Sequence, residues 1–487
     1  MKTIVTFSFK KVFFLIILVG LLAPQCQGQT VVFENGSPTP GTDLGYSVME
    51  APDSTLIVVG STTTNTSGLA DIAVTKMTSG GEEIWSVIHG GFNNDFPSAS
   101  IMLEDGSFVI VGTTGSFTSS PSRDVYLLKM DSEGEILWTN SYGGPETDEG
   151  TDIKLTPEGD FIISAYTESY GAGETDAWLF KTDSEGNLLW DQTFGGTEMD
   201  NALGVDLSPD GGYILTGGTR SFASGSEEDL WLIKTDSAGT EIWTQTFGVS
   251  DQVDWGWDVA ATDDGYVAVG IYDNNPLNPP PISGEAFFMK VDLDGSLVWN
   301  ESIPGDLRVE GFSIFPTQDD GWLISGTKWL GPPSNASFWV AKASAEGEVD
   351  WEVNLGQPNT INIALDVIQT RNGDIVATGF SGADQFSTQD LHVVRLTEQT
   401  ISVFESSKNS MFTAAPNPTH GPIKILLSEN YSECDIKLFN GNGQVMKAKE
   451  FVYQESIELD LSLFPAGLYF LEVTAARETE RIRVVKL

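Results

Sequence analysis

The residues best equipped for chemistry stand together at Asp254-Trp255-Gly256-Trp257-Asp258, with Tyr272 and Trp329 further along the chain. Flat apolar rings beside carboxylates suit the faces and hydroxyls of sugars, and repeat arrays tend to place function where their rule is broken. A pair of carboxylates is also the minimum equipment of a glycoside hydrolase. Residues 29–404 hold 58 Asp and Glu, however, and nothing in their spacing singles out one pair. The three histidines, His89, His392 and His420, are scattered. No Ser-His-Asp, zinc-ligand or phosphate-loop spacing occurs, so no catalytic residue is assigned and binding is the favoured expectation.

Two repeated sets of charged residues invite a functional reading and support a structural one. Lys76, Lys129, Lys181, Lys234, Lys290 and Lys342 recur at one place in a repeat, continued by Arg395, and are seven of the 13 cations in residues 29–404. Five residues before them stand Asp71, Asp124, Asp176, Asp229, Glu285, Ser337 and Asp390. A ring of cations could take an anion, but seven equivalent copies point to an ion pair or hydrogen-bonded clamp inside each unit, with the earlier acid as partner. Asp-Ser-x-Gly turns, as at 131–134, 183–186 and 236–239, offer Ca²⁺ one or two carboxylates each. The full calcium loop is absent, Asp292-Leu-Asp294-Gly295 being the nearest approach. Hairpin turns are the simpler reading, and no metal or other cofactor is assigned.

The elements that must position these residues follow from the repeat. A Trp recurs at Trp85, Trp138, Trp190, Trp243, Trp299 and Trp351 and gives way to Phe404, in steps of 53, 52, 53, 56, 52 and 53 residues. A period in this range marks an array of one supersecondary unit. Each unit holds four short apolar runs bounded by turn signals; in the fourth copy these are 202–207, 213–217, 230–234 and 241–247. The first two runs are joined by an Asp-Gly type turn, as at Asp105-Gly106 and Asp210-Gly211. Four antiparallel strands repeated seven times predict an all-β, seven-bladed β-propeller over residues 29–404. Thr30-Val-Val-Phe33-Glu-Asn-Gly36 reads as the end of a fourth strand, matching Thr246-Phe247-Gly248, so the N-terminal segment is expected to complete the last blade and hide an open sheet edge. The 56-residue step comes from a Pro-rich insert at 276–281, in the loop between the second and third runs of the fifth repeat.

Charge and the chain ends bound the rest. The 487 residues carry a formal charge of −44, and almost all of it lies in residues 29–404. A field of that sign repels nucleic acid and anionic membranes. At the N-terminus Lys2, Lys10 and Lys11 precede an apolar run at 12–22 and Cys26-Gln27-Gly28. This is the pattern of a cleaved secretory signal over residues 1–28, and the run is too short to span a membrane. A lipid anchor at Cys26 fits less well, because Ala23-Pro24-Gln25 lacks the small residue wanted before the cysteine. Removal of the signal leaves Cys434 as one thiol, so packing and not disulfides must stabilise the protein.

Beyond a linker at 405–411, residues 412–487 alternate apolar runs with Gly and Pro turns and read as a small β-sandwich. Its Pro416-Asn417-Pro418-Thr419 opening, the Gly467-Leu-Tyr469 near the end and Lys486 resemble the C-terminal sorting domain of type IX secretion cargo. That resemblance implies handling by the type IX secretion machinery, export across the outer membrane, then release or surface attachment. The Lys-x-Asp-x-x-Gly-x-x-x-Trp string resembles the tryptophan-docking motif of quinoprotein-like propellers, which implies Trp side chains lodged between blades. The whole unit resembles a secreted bacterial propeller repeat whose members seldom have a known activity. The resulting expectation is an exported, non-enzymatic binding propeller for a glycan or surface protein, with Asp254, Trp255, Trp257, Asp258, Tyr272 and Trp329 as its site. A secreted polysaccharide hydrolase is the alternative.

Overall fold

The computed structural model describes residues 29–36, most of 41–398 and the strands of 412–486; within 41–398 the short stretches 67, 119–120, 249–251, 274–283, 304, 306, 332–334, 357–358 and 384–387 fall outside it. The expected signal at 1–28, Phe404, the linker at 405–411, the Pro-rich insert and the Pro416–Thr419 segment lie outside the described residues. Among the described residues every regular element is a strand, and no helix is long and apolar enough to cross a membrane. The chain divides into two compact units, a first holding Val31–Leu396 and a second holding Thr397–Leu487.

The first unit consists of four-stranded antiparallel sets, the blades. Blades one to six cover residues 43–89, 95–142, 148–194, 200–247, 253–303 and 309–355, each with its strands in sequence order. A single parallel bridge, Ala336 to Ile361, joins blade six to the last set. That set orders Ile361–Gln369, Ile375–Gly382 and Gln389–Glu398, and then takes the N-terminal strand Gln29–Gly36 as its outer member. The first strands of successive sets touch in cyclic order, and the last touches the first. The ring is therefore closed, and the predicted propeller architecture and strand pairing are present.

Burial follows the sequence pattern. The two middle strands of each blade are mostly buried, and Leu56–Thr62 and Asp229–Thr235 are buried throughout. They are covered on both faces by neighbouring blades, so they read as unbroken apolar runs. The outer strands alternate instead, as in Glu83–His89.

The Trp residues stand between blades, as their resemblance implied. Trp85 lies against the turn glycine Gly134 of the next blade, where an added Cβ would fall 3.0 Å from the ring; Trp243 lies against Gly295 in the same way, and its Nε1 donates to Leu293 O at 3.0 Å. The seventh joint holds a correction. The ring against the equivalent glycine, Gly81, is Phe33. Phe33 thus occupies the Trp position, four residues out of the alignment with Phe247, because the N-terminal strand supplies the outer strand of the last blade.

The lysine clamp also has a different partner from the one expected. Lys234 is 2 % exposed and donates to both carboxylate oxygens of Asp210 at 2.9 Å. The same pairing joins Lys76 to Asp53, Lys181 to Asp160, Lys290 to Asp264, Lys342 to Asp319 and Arg395 to Asp374. These acids belong to the first hairpin turn. The acid five residues before the lysine lies on the same strand, so at ~3.4 Å per residue it sits roughly 17 Å away and on the opposite face. There Asp176 accepts the backbone N–H groups of Ala172 and Gly173, and Asp229 that of Ser224, holding the preceding loop. The cation end crosses the joint as well: Lys76 Nζ donates to Ser132 O at 3.3 Å, and Arg395 Nη1 to Ser79 O at 2.7 Å.

The second unit has a three-stranded sheet of Phe412–Ala415, Pro422–Leu427 and Ser456–Asp460. Its four-stranded sheet comprises Cys434–Asn440, Val445–Phe451, Gly467–Ala475 and Glu478–Lys486. Alternate residues Ile423, Ile425, Ile436, Leu438, Leu471 and Val473 are buried, as two packed sheets require.

Candidate functional site: the central channel

The first strand of every blade borders one cavity of about 610 Å³, the central channel of the ring. Each of these strands carries a β-bulge at the same place, between Gly45 and Ser47 in blade one and between Gly256 and Asp258 in blade five. The inserted residues are Tyr46, Ser98, Thr151, Leu203, Trp257, Phe312 and Leu365, and all of them line the channel. A bulge puts two residues opposite one and re-aims the extra side chain, here towards the ring centre. The layer is uneven. Trp257 meets Phe312 edge to face at 5.3 Å, whereas the Thr151 hydroxyl donates to Ala202 O at 2.9 Å.

Next to this layer lies a charged one. Asp152 Oδ2 accepts the N–H of Val205 on the next blade at 3.1 Å, and Asp206 Oδ2 that of Ala261 at 2.8 Å. Asp258 Oδ2 accepts from Ile314 at 2.9 Å, and Asp366 Oδ2 from Val48 at 2.8 Å, the last bridging the end of the ring to its start. The first strand of a blade has no sheet neighbour on its channel side, so its N–H groups need acceptors, and these carboxylates supply them. Lys154 Nζ pairs with Asp152 at 2.6 Å. Burial pulls the Lys154 ammonium down, but Asp152, Asp258 and Asp206 outweigh it and its pKa is raised. Burial pushes the Asp258 carboxyl up to about 7 against the pull of Lys154, and Asp152 adds to the rise. Asp206 is likewise raised by burial, with Lys154 opposing.

The residues singled out from sequence divide between this channel and the blade-five loop end. Trp257 and Asp258 line the channel. Asp254 does not; it is fully buried at the start of its strand and pairs across the ladder with Tyr272. Equivalent acids open other first strands and tie up the incoming connection. Asp148 accepts from Thr167 Oγ1, from Ser169 Oγ at 2.8 Å and from Gly144 N at 2.8 Å, and Asp200 accepts from Thr219 Oγ1 and Gly196 N. Asp254 stands at the same place, with its carboxylate beside Gly248 as Asp148 and Asp200 stand beside Gly143 and Gly195, but Tyr272 is opposite it where those two have a Thr. Trp255 packs against Gly218, donates its Nε1 to Glu228 and meets Trp257 at 5.7 Å. Tyr272 stacks on Phe287, receives a hydrogen bond from Asn300 at 3.3 Å, and is pushed up to about 12 by burial. Trp329 is on blade six, where its N–H donates to Arg308 O at 2.8 Å. Asp254 and Asp258 share one strand four residues apart, roughly 13 Å, beyond the ~5–9.5 Å of a glycosidase pair.

The remaining motifs are occupied locally. Asp183 Oδ1 accepts the N–H groups of Glu185 and Asn187 within its own turn, and Asp236 does the same for Ala238 and Thr240. Among the described residues no group of three His, Cys, Asp or Glu is placed to hold a metal.

Residues 413–486 match the family model described as the secretion system C-terminal sorting domain. The regulatory protein FlaEY of Caulobacter vibrioides is 25 % identical over 177 residues, covering 31 % of this chain and 18 % of that protein. The chain thus spans under a fifth of the length of this curated relative. Among solved structures, the β-propeller domain of the trilobed protease from Pyrococcus furiosus is similar at 7 % identity and a TM-score of 0.39, covering 78 % of this chain and all of that one. The polysaccharide lyase Uly1 is similar at 9 % identity and a TM-score of 0.44, covering 72 % and 89 %. Neither likeness assigns an activity. With its repeated four-stranded blades and this C-terminal match, the chain is a β-propeller protein that carries a type IX secretion sorting domain, and that domain directs it out of the cell or to its surface.

Proposed function

We propose that the exported propeller works by binding, and that its ligand sits in the central channel on the Trp257–Phe312 pair. The observation that carries this reading is the asymmetric bulge layer: seven equivalent positions hold Trp, Phe, Leu and Tyr on one side and Ser and Thr on the other, with a second Leu between, around a cavity of about 610 Å³. A volume of that order suits a small molecule or a chain end. Aromatic faces beside hydroxyl and carboxylate groups suit a glycan, and the acidic surround disfavours polyanions. In this reading the sorting domain delivers the propeller, which is then released or attached at the surface.

Glycan-array binding followed by calorimetry tests it. Trp257→Ala should weaken binding by about tenfold or more, with the propeller still folded. Unchanged affinity in that variant would overturn the channel as the seat.

A second reading, hydrolysis, has one specific observation in its favour: Asp258 holds its proton to about 7 beside other carboxylates, as a general acid does. Against it, both Asp258 oxygens already accept backbone N–H groups, from Val259 and Ile314. Release of reducing ends from a bound glycan, lost in Asp258→Asn, would favour hydrolysis; binding without turnover favours the first reading.

A further inference from the structure

The charged layer does more than shape the channel. Asp152, Asp206 and Asp258 each reach from one blade to a backbone N–H of the next, so three consecutive joints, from blade three to blade six, depend on carboxylates that face one another across one cavity. They share a single cation, Lys154. With all three ionised, the group carries two uncompensated negative charges on buried or half-buried side chains around one cavity, where solvent screens them less than at the outer surface. One proton relieves much of that repulsion and leaves the clamps in place, because a protonated carboxyl keeps acceptor lone pairs.

We propose that Asp152, Lys154, Asp206 and Asp258 form a proton-responsive joint in the ring, tighter when one carboxyl is protonated and looser when all are ionised. Asp258 is the group that changes state. It faces Asp152 and Lys154 from the blade-three strand and Asp206 from the blade-four strand. From the blade-six strand it meets the Ile314 N–H, beside Ser313, which donates to Asp366 of blade seven. Across its own ladder it is opposite Val269, and Asp254 of its own strand lies at the far end.

The sign follows from linkage. An unfolded Asp releases its proton near ~3.9, whereas Asp258 in the fold holds it to about 7. Between those values the folded state binds more protons, so this group's contribution to stability falls as pH rises and levels off above about 7. The inference concerns regulation of the proposed ligand seat, since Asp258 lines it, but the test uses no ligand; failure of ligand binding would leave it standing.

All 13 Trp residues lie between 85 and 351, so urea unfolding of the full chain followed by Trp fluorescence reports the propeller alone. Between pH 5 and 7 the folding equilibrium constant of the wild type should drop by up to about tenfold per pH unit relative to Asp258→Asn, then run parallel to it. Lys154→Met, which removes the shared cation, should move the levelling-off point to higher pH. The same slope in wild type and Asp258→Asn, or an unmoved levelling-off point in Lys154→Met, would overturn the proposal. If Asp258→Asn does not fold, the Lys154→Met comparison decides alone.

Discussion

Two layers of the same ring obey opposite rules. At the outer joints one arrangement recurs: at five of them a Trp lies against the next blade's turn glycine, Phe33 takes that place against Gly81, and a Lys or Arg is held by the hairpin-turn acid. At the channel the backbone repeats just as strictly, bulge for bulge, yet the side chains differ from blade to blade. A joint needs much the same contact from blade to blade, so its residues are held alike. A cavity wall needs no particular side chain to close the ring, so its residues are free to serve a ligand. Side-chain variation on an invariant backbone is the better guide to function here than variation in a loop.

The comparison can be broken most directly at the joints. Trp243→Ala should cost about 3 kcal/mol or more, because its ring fills the space beside Gly295 and nothing can collapse into it; a thermal melt checks this. Asp200→Ala should cost roughly 2–3 kcal/mol by leaving buried donors unpaired, and Asp254→Ala, at the same place but with Tyr272 opposite in place of Thr, should cost less. If Asp254→Ala instead kept full stability and lost ligand, Asp254 would belong to a site after all. Lys234→Ala should cost ~1–2 kcal/mol without altering ligand affinity, since its partner Asp210 is half-exposed and can be hydrated. Trp257→Ala should move the melting temperature least while removing binding. A loss of stability equal to that of Trp243→Ala would erase the distinction between the two layers.

The smallest effect is an acid one. Lys290 and Thr262 hydrogen bonds hold the Asp264 carboxyl below its usual range. Its contribution is full above ~4 and is lost as pH falls through its folded value, the reverse of Asp258. Lys290→Met should therefore shift the acid limb of the melting curve slightly and leave the neutral limb unchanged.

The candidate site was half legible. The motif Asp254–Asp258 drew notice because it is dense, and density merged two columns with different duties. Aligning the repeats at their 52–56-residue spacing on the first strand would have placed Asp254 with Asp95, Asp148 and Asp200, and Trp257 with Tyr46 and Phe312. Once aligned, the first column is Asp in blades one to five, with Val309 and Asn362 in the last two, whereas the second changes from blade to blade. The bulge is marked by a Gly, Ala or Pro just before it, as at Gly45, Ala202 and Gly256, while the inserted place itself accepts any side chain.

The amino-acid sequence alone determined the strand count per unit, the turn positions, the closure by the N-terminal segment, the interblade Trp and the sorting domain. Each of these is a local pattern, set by alternation, turn chemistry or a repeated motif. Only the tertiary structure decided which acid pairs with each lysine, that Phe33 fills the seventh Trp position, and that Asp152, Lys154, Asp206 and Asp258 meet in one channel. Each lysine shares a blade with its acid but sits on another strand, while the other residues lie on different blades or at the far ends of the chain. What unites the channel residues and Phe33 is closure of the ring, which brings seven first strands to a common centre.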